Sequence, residues 1–430
     1  MSQAGFHALM RANPAPRETK FAVMSSFLFR CCAAALIVAG WSVPRCVAAD
    51  RAEMSRGEIV ADAERMADAQ LAQVAGSRQL DWVAAVMWLG YSDLAAISSR
   101  PDYAAAVDQF GASVAWTPRF RAKIPNHADD LCIAQTFLDA YTRKADAARL
   151  LPSEERIAAV SDYITGKELP DPPGATKTHL TWWWCDALFM APAGHARLSA
   201  ITGDRRYLDA MDEEWWRTAA LLYDRQEHLF FRDISFLHKR SRHGNKIFWS
   251  RGNGWVFAGL ARTLTYMPAD YPSRARYVAI YREMAARLAS LQREDGTWSP
   301  SLLDEAEFPD SETSGTALDC FAFAWGINHG VLDRKAYLPV IEKAWAALLA
   351  ARRPDGLPGY VQNVGAGPAP VSPAGTQLYA TGAFLMAACQ LAALAPLEIP
   401  PPPHLSSPVQ PAAVASPSPS APDSQPKPTP

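Results

Sequence analysis

Apolar residues recur every three or four positions along most of the chain between Arg51 and Pro396, which is the period of an amphipathic α-helix. Strand-like alternation is scarce, and short extended pieces are expected in the longer loops, for example near residues 229–234 and 359–363. The pattern therefore predicts an all-α fold of about twelve helices. These helices are expected over residues 53–74, 82–97, 101–115, 129–146, 153–166, 181–200, 205–222, 252–266, 274–292, 314–330, 335–351 and 376–394.

Three of the connections between these helices resemble one another. Residues 99–103, 202–207 and 332–337 each combine turn-forming residues with a tyrosine early in the following helix. Recurring helix–turn–helix units of roughly 50 residues indicate stacked hairpins. Six hairpins that close on themselves form an (α/α)6 barrel, a toroid in which the N-terminal ends of the inner helices surround a cavity. An open solenoid is the competing architecture, and the long, dissimilar loops favour the toroid.

The two ends of the chain differ in composition from the helical part. Arg30 precedes an apolar run over residues 31–43, followed by the small residues of Val47-Ala48-Ala49, which predicts a secretory signal over residues 1–49 with Met24 as an alternative start. The apolar run is too short to span a membrane, although a retained anchor is the competing interpretation. Residues 397–430 are rich in Pro, Ser and Ala and are predicted to form a disordered tail. The catalytic or binding domain is thus expected over residues 50–396 of an exported, periplasmic or secreted protein.

Composition excludes several classes of function. The 42 basic and 44 acidic side chains nearly balance, so neither a nucleic-acid partner nor a membrane partner beyond the leader is predicted. The sequence has no Gly-rich phosphate loop, HExxH helix, GxSxG elbow or Cys/His zinc pattern, so neither a metal nor a cofactor is predicted. The cysteines after the leader, at positions 132, 185, 320 and 389, are expected to be buried free thiols. A monomer and a homodimer are both compatible with the sequence.

The segment Trp182-Trp183-Trp184-Cys185-Asp186 offers the first candidate chemistry. Indole rings stack on sugar faces and lower the local dielectric constant, so a carboxyl group beside them resists ionisation and can donate a proton near neutral pH. In the alternative interpretation the tryptophans are core residues and Asp186 is a carboxylate in the first turn of a helix, favoured by the helix dipole.

Two adjacent carboxylates, Asp129 and Asp130, follow His127 at the start of another predicted helix. One of them is expected to cap the helix, which leaves the other free for acid or base chemistry with Asp186.

The string Arg251-Gly252-Asn253-Gly254-Trp255 opens a further helix. There, Arg251 can hold a carboxylate through two hydrogen bonds, and Trp255 can stack on a sugar ring. A helix start with a salt-bridging arginine is the alternative.

Taken together, six short motifs resemble glycoside hydrolase family 105, the unsaturated uronyl hydrolases, and more distantly family 88. They occur in the order found in the family, and their number and order carry the resemblance more than any single motif does. The motifs are His127-Ala128-Asp129-Asp130, Trp184-Cys185-Asp186-Ala187-Leu188-Phe189-Met190, Leu229-Phe230-Phe231-Arg232-Asp233, Trp249-Ser250-Arg251-Gly252-Asn253-Gly254-Trp255, Glu312-Thr313-Ser314-Gly315-Thr316-Ala317 and Thr381-Gly382-Ala383-Phe384-Leu385.

The resemblance implies an (α/α)6 barrel that acts on the oligosaccharide product of a polysaccharide lyase. Such a substrate carries a 4,5-unsaturated uronic acid at its non-reducing end. The C4=C5 bond is an enol ether, so it is protonated at C4, and water adds at C5. The resulting hemiketal opens and releases the rest of the oligosaccharide. One acid that then activates water is sufficient for this route, unlike the usual pair of carboxylates.

The resemblance also implies roles for individual residues. Asp186 matches the acid/base of the family, and Asp129 matches the second acidic residue, which positions or polarises. Sugar-contacting aromatic residues match Trp184 and Trp255, and the basic residue beside the substrate matches Arg251. His127 and Asp130 belong to the Asp129 motif and are predicted to bind substrate.

One departure from the family pattern concerns Arg232. Some members place a histidine between the acid/base motif and the Arg-Gly-Asn-Gly-Trp motif, where this chain has Phe231-Arg232-Asp233. We expect that Arg232 contacts the uronate carboxylate instead, or that the substrate differs. An ordinary inverting glycosidase on an α/α barrel and a non-catalytic carbohydrate-binding barrel are the alternative functions.

Overall fold

The computed structural model describes residues 51–121, 126–166 and 180–406, and the regular secondary structure of these residues is almost entirely helical. The α-helices are α1 (Arg56–Val74), α2 (Trp82–Ile97), α3 (Asp102–Ser113), α4 (Ala128–Arg143), α5 (Ala147–Thr165), α6 (Ala187–Met190), α7 (Pro192–Thr202), α8 (Arg206–Leu222), α9 (Ser250–Tyr266), α10 (Arg274–Ser290), α11 (Thr313–Asn328), α12 (Arg334–Ala350) and α13 (Leu378–Leu394). Four short strands accompany them: β1 (Ala52–Met54), β2 (Tyr223–Asp224), β3 (Leu229–Phe230) and β4 (Leu397–Ile399).

The helices form six hairpins that close into a ring. The inner helices are α2, α4, the α6–α7 pair, α9, α11 and α13; each packs against the next, and α13 packs against α2. The outer helices α1, α3, α5, α8, α10 and α12 return the chain between them, so all inner helices run in the same direction. Closure confirms the predicted (α/α)6 barrel and excludes the open solenoid.

Two seams of the ring depend on close backbone approach at glycine. A Cβ atom on Gly90 of α2 would lie 2.5 Å from the carbonyl oxygen of Gly382 on α13. On the opposite side of the ring, a Cβ atom on Gly259 of α9 would lie 2.3 Å from the carbonyl oxygen of Leu188 on α6. Gly382 therefore permits close helix packing, which explains a residue that is unfavourable inside a helix.

The largest departure from the predicted helices lies between residues 181 and 200. The prediction of one continuous helix is wrong, because residues 181–186 form a loop and α6 ends at Met190, just before Pro192 starts α7. Proline has no N–H to donate and interrupts the hydrogen-bond ladder. The helix expected from residue 153 instead begins at Ala147, with Asp146 as its N-cap and Pro152 inside it.

Paired strands in the described part of the chain are limited to β1 with β4 and β2 with β3, and isolated bridges occur in the loops. β2 pairs with β3 in antiparallel fashion, which agrees with the extended piece expected near residue 229. The piece expected over residues 359–363 is a loop, and a single bridge joins Arg352 to Pro358 before it.

The first and last strands of the barrel domain pair in an antiparallel ribbon. In it β1 pairs with β4, and Ala52 lies opposite Ile399. The expectation of disorder from residue 397 is therefore wrong for its first ten residues. Leu405 is buried, and the N–H of Ser406 donates to Ser311 Oγ at 2.9 Å. The leader predicted over residues 1–49 and the rest of the tail, residues 407–430, lie outside the described residues.

Cys132, Cys185, Cys320 and Cys389 are buried free thiols, as expected. Among the described residues, no helix combines the length and apolar character that a membrane span needs.

Candidate active site

The residues predicted to carry chemistry gather at one end of the barrel, because the inner helices all point the same way. Asp129 lies in the first turn of α4, Asp186 immediately precedes α6, and Arg251 is the second residue of α9. Their separation in sequence is large, and the ring topology alone brings them together. The rim made by the N-terminal ends of the inner helices is therefore the candidate active site.

Asp186 is half-buried and is not used as a helix cap. It occupies the N-cap position of α6, yet within the described structure its side chain accepts no hydrogen bond from that helix. Its Oδ2 accepts a hydrogen bond from Cys185 Sγ at 3.3 Å. Burial raises the pKa of Asp186, against the opposing effects of Arg232, Cys185 and Arg251. Asp186 therefore lies at a helix N-terminus, as the alternative interpretation expects, but it caps no N–H of that helix, and its raised pKa suits a proton donor.

Asp129 is the second carboxyl group of the site. Its side chain is 15% exposed, and Oδ2 lies 3.6 Å from Arg121 Nη2. Burial raises its pKa to about 7, and the charges of Asp186 and Asp130 add to this rise, while Arg121 opposes it. Asp129 and Asp186 are therefore electrostatically coupled, and the pair retains a proton near neutral pH.

His127, and neither aspartate, caps α4. The backbone N–H of Asp129 donates to His127 Nδ1 at 3.3 Å, so the expectation that Asp129 or Asp130 caps this helix is wrong. Burial and the charges of Arg121 and Arg119 lower the pKa of His127 to about 4. The imidazole is therefore neutral at pH 7, with its hydrogen on Nε2, and its ring packs 4.7 Å from that of Trp184.

Asp130 has no exposed surface, and it lies beneath the site. Its Oδ1 is 3.1 Å from Arg121 Nε and 3.9 Å from Arg119 Nε. Asp130 therefore anchors Arg121, which in turn approaches Asp129. Contact between Asp130 and substrate stays a prediction, and the enclosed position of Asp130 does not support it.

Arg232 enters the site from the segment after β3. Its backbone carbonyl accepts the N–H of Cys185 at 2.9 Å, which ties this segment to the Asp186 loop. Its guanidinium lies over the ring of Trp183 at 5.3 Å and donates from Nη1 to Asp233 Oδ2 at 2.5 Å. Arg232 is thus held beside Asp186 with part of its surface exposed, where it can meet an anionic group.

The indole that faces solvent is Trp183. It is 37% exposed, whereas Trp184, which was predicted to contact sugar, is 4% exposed and packs against it with ring centroids 4.8 Å apart. The alternation of side-chain direction along this loop turns Trp182 into the core as well. Sequence reasoning selected Trp184, whereas Trp183 is the exposed indole of the three.

Arg251 is fully buried and supports a loop. Nη1 donates to the carbonyl oxygen of Gln362 at 2.7 Å and to Tyr379 Oη at 2.9 Å, and Nη2 donates to the carbonyl oxygen of Asn363 at 2.9 Å. Trp249 lies under the guanidinium at 4.5 Å. The charge of Arg251 opposes the rise in the pKa of Asp186. Contact between Arg251 and a substrate carboxylate, as predicted, would require the arginine side chain to move.

Trp255 is also fully buried, behind the site. Its ring lies 4.8 Å from that of Phe189 on α6 and 6.1 Å from that of Trp82. The sugar-stacking role predicted for Trp255 therefore stays a prediction, while the geometry shows it packing between α6 and α2.

Two residues at the rim were given no role by the sequence analysis, although Glu312 belongs to one of its motifs. Trp82, the half-buried first residue of α2, stacks on Tyr379 at 5.0 Å, so it offers an aromatic surface at the N-terminal end of an inner helix. Its place at the start of a correctly predicted helix was the available signal. Glu312 caps α11 and accepts the N–H of Gln362 at 3.2 Å, which holds the same loop that Arg251 supports.

A closed ring of six helical hairpins with paired carboxyl groups at the inner-helix N-termini defines an α/α-barrel glycoside hydrolase. Residues 57–395 match the family model for Glycosyl Hydrolase Family 88, and the chain belongs to that family. The resemblance drawn from the motifs is thereby confirmed, with the matching model being that of family 88.

Two relatives share substantial identity with this chain. It is 37% identical over 320 residues to the unsaturated 3S-rhamnoglycuronyl hydrolase of Formosa agariphila, covering 72% of this chain and 84% of that protein. It is 39% identical over 280 residues to a protein of the same name from an Alteromonas species, covering 62% of this chain and 67% of that protein.

Solved structures of the same fold include family 88 and family 105 proteins. A family 88 glycosyl hydrolase from Bacteroides vulgatus superposes with a TM-score of 0.73 at 27% identity, covering 80% of this chain and all 100% of that one. A possible family 105 member from Salmonella enterica superposes with a TM-score of 0.64 at 16% identity, covering 79% and 95% of the two chains, and supports the fold alone.

Proposed function

We propose that this hydrolase removes a 4,5-unsaturated uronic acid from the non-reducing end of lyase-generated oligosaccharides, by protonating and hydrating the C4=C5 double bond. The observation that carries the proposal is the coupled pair Asp129 and Asp186, both with raised pKa values, beside the cationic Arg232. The names of the two relatives favour a rhamnoglycuronyl substrate, in which the uronic acid is joined to rhamnose.

In the proposed reaction Asp186 donates its proton to C4. The C4=C5 electron pair forms the new C–H bond, and the ring oxygen stabilises the cation at C5. Water attacks C5 and returns a proton to the Asp186 carboxylate, so the acid is regenerated. The hemiketal at C5 then opens to a ketone and leaves a hemiacetal at C1, which releases the aglycone as an alcohol. One water is consumed, and the glycosidic bond breaks without displacement at the anomeric carbon.

The surrounding residues supply charge and a stacking surface. Arg232 is placed to pair with the uronate carboxylate, because its guanidinium is partly exposed and already lies over an indole ring. Trp183 is the exposed indole on which the sugar ring stacks. Asp129 shares the proton of the pair and, through its negative charge when ionised, favours the protonated form of its neighbour.

The test is to incubate the protein with lyase digests and follow the absorbance of the unsaturated uronide at ~235 nm, which hydration destroys by removing the conjugated double bond. We expect loss of absorbance with wild-type protein, and loss of turnover with substrate binding kept in Asp186→Asn. Turnover by Asp186→Asn at the wild-type rate would refute the assignment. Hydrolysis of a saturated nitrophenyl glycoside would favour an inverting glycosidase, and binding without turnover of any digest would favour a non-catalytic barrel.

We also propose that the protein is exported. The apolar run and small residues before position 50 support this, as does a substrate that is produced outside the cell when large polysaccharides are cleaved there. Fractionation of cells that express the full chain tests it, and retention of the uncleaved protein in the cytoplasm would contradict it.

A further inference from the structure

The turn that carries Asp186 ends in a break of the helical hydrogen-bond ladder. Pro192 has no N–H for the carbonyl of Leu188, and the N–H of Gly194 donates to Ala191 at 3.1 Å. Carbonyl groups at the end of α6 therefore need donors from elsewhere, and buried carbonyl groups without donors are costly.

Gln135, on the neighbouring inner helix, supplies donors to the last two of these carbonyl groups. Its side chain is 1% exposed, and Nε2 donates to the carbonyl oxygens of Phe189 at 3.1 Å and Met190 at 3.3 Å. Both hydrogens of one amide group are thus directed at the end of the turn that Asp186 begins.

The orientation of this amide is fixed from its other side. Gln135 Oε1 accepts from Arg262 Nε at 3.0 Å, so a flipped amide would bring two donors together. Arg262 is in turn held by Asp93, at 2.9 Å from Nη1, and lies 3.9 Å from Asp139. A chain of buried polar contacts therefore runs from the far end of the barrel to α6.

We infer that Gln135 is a positioning residue that sets the relative placement of the two carboxyl groups. Asp129 and Gln135 lie on the same helix, α4, while Asp186 is joined to the carbonyls that Gln135 holds by the single turn of α6. One side chain therefore ties the helix of the first carboxyl group to the turn of the second. This inference rests on the proposed function only in taking Asp186 as the proton donor.

Loss of the tie should affect turnover more than binding. Without Nε2, the end of α6 can shift to find other donors, and a displacement of about 1 Å at reacting groups costs about a hundredfold in rate. We expect kcat to fall ~10- to 100-fold, with KM changed by less than about threefold, because Gln135 touches no substrate. The basic limb of the pH profile of kcat/KM should also move, because the coupling between Asp129 and Asp186 depends on their separation.

The experiment compares Gln135→Glu, Gln135→Met and Asp93→Asn in the full chain. The glutamate keeps an acceptor for Arg262 but loses the donors, and the methionine of similar volume loses both. The control, Asp93→Asn, weakens the same polar chain at its far end without touching Gln135. We expect the Tm to fall in all three variants, whereas kcat falls and the pH profile moves only in the two Gln135 variants.

Two results would overturn the inference. The first is a kcat close to wild type in folded Gln135→Glu and Gln135→Met, with Asp186→Asn inactive in parallel. The second is a fall in kcat that follows the loss of Tm equally in all three variants, which would make Gln135 a general packing residue. If instead Asp186→Asn turns over substrate normally, the proposed function itself fails, and that outcome is distinguishable from either of these.

Discussion

Gly259→Ala is expected to displace the catalytic turn directly. The added Cβ atom would lie 2.3 Å from the carbonyl oxygen of Leu188 and 2.9 Å from Phe189 Cα. Both are backbone atoms of α6, so the overlap cannot be relieved by rotating a side chain. The seam between α9 and α6 must open instead, and the opening moves the turn that begins at Asp186.

The expected size of the effect follows from these distances. Ordinary contact between a carbon atom and its neighbours begins near ~3.5 Å, so the two helices must separate by about 1 Å. A shift of about 1 Å at a catalytic group costs about a hundredfold in rate, and we expect kcat to fall ~30- to 100-fold. Overpacking costs about 1–3 kcal/mol, and the better helix propensity of alanine offsets about 1 kcal/mol of this, so the Tm should fall by a few degrees only.

The measurement is steady-state loss of uronide absorbance at ~235 nm, with Tm from circular dichroism. Gly90→Ala is the matched control, because its Cβ atom would lie 2.5 Å from the carbonyl oxygen of Gly382, at the seam on the opposite side of the ring. That variant should lose similar stability but retain most of its kcat. Wild-type kcat in Gly259→Ala, or an equal loss of kcat in both variants, would show that the α9–α6 seam does not position Asp186.

Three further predictions concern single residues of the rim. The pKa of Asp129 is raised to about 7, so the folded protein holds this proton more tightly than the unfolded chain, and stability falls as pH rises from about 4 to about 7. Because this pKa rises by about three units, each equivalent to about 1.4 kcal/mol, Asp129→Asn should raise the free energy of unfolding by about 4 kcal/mol at about pH 8 and leave it nearly unchanged near pH 4, as urea titrations can show; equal effects at both values would contradict this. Arg232→Met should raise the pKa of Asp186, which extends the basic limb of kcat/KM to higher pH, and should raise KM at least tenfold because the uronate carboxylate loses its partner; an unchanged pH profile would refute the first expectation, and an unchanged KM the second. Trp82→Ala should raise KM about tenfold with kcat nearly constant if its exposed face stacks on sugar, whereas Trp82→Phe should not.

The apolar period identified most helices well because, apart from the α6–α7 pair, they are long and bounded by clear turns. α2 was predicted over the observed residues, and α9 and α11 begin within two residues of their predicted starts. The one serious error, at residues 181–200, has a physical cause. The tryptophans before Asp186 are apolar enough to continue a helical pattern, but they lie in a loop that is tied to the segment after β3 by the bond from Cys185 N–H to the Arg232 carbonyl, and Pro192 then separates α6 from α7.

The sequence located the candidate site more accurately than it predicted which side chains of the site are exposed. Asp129 and Asp186 were both identified as a potential pair, and the ring brings them together. Trp255 and Arg251 were assigned to the substrate, yet both are buried. The inner helices of a toroid are covered on every side, so their sequences lack a polar face. Without that pattern, the sequence does not reveal which way an aromatic or charged side chain on such a helix points. His127 was missed as a cap because imidazole is an uncommon cap, and its Nδ1 can accept only in the neutral form.

The ribbon formed by β1 and β4 places the first and last residues of the barrel domain side by side. Ala52 and Ile399 are directly paired, so the two ends of the ordered barrel lie about one strand spacing apart, ~5 Å. A short linker could join them, and new ends could be opened at the exposed turn around Gly203, which follows an inner helix and so lies at the end of the barrel away from Asp186. A circular permutant of this kind would keep all six hairpins and the complete catalytic rim, with its new termini at the same end of the barrel as the β1–β4 ribbon, away from Asp186.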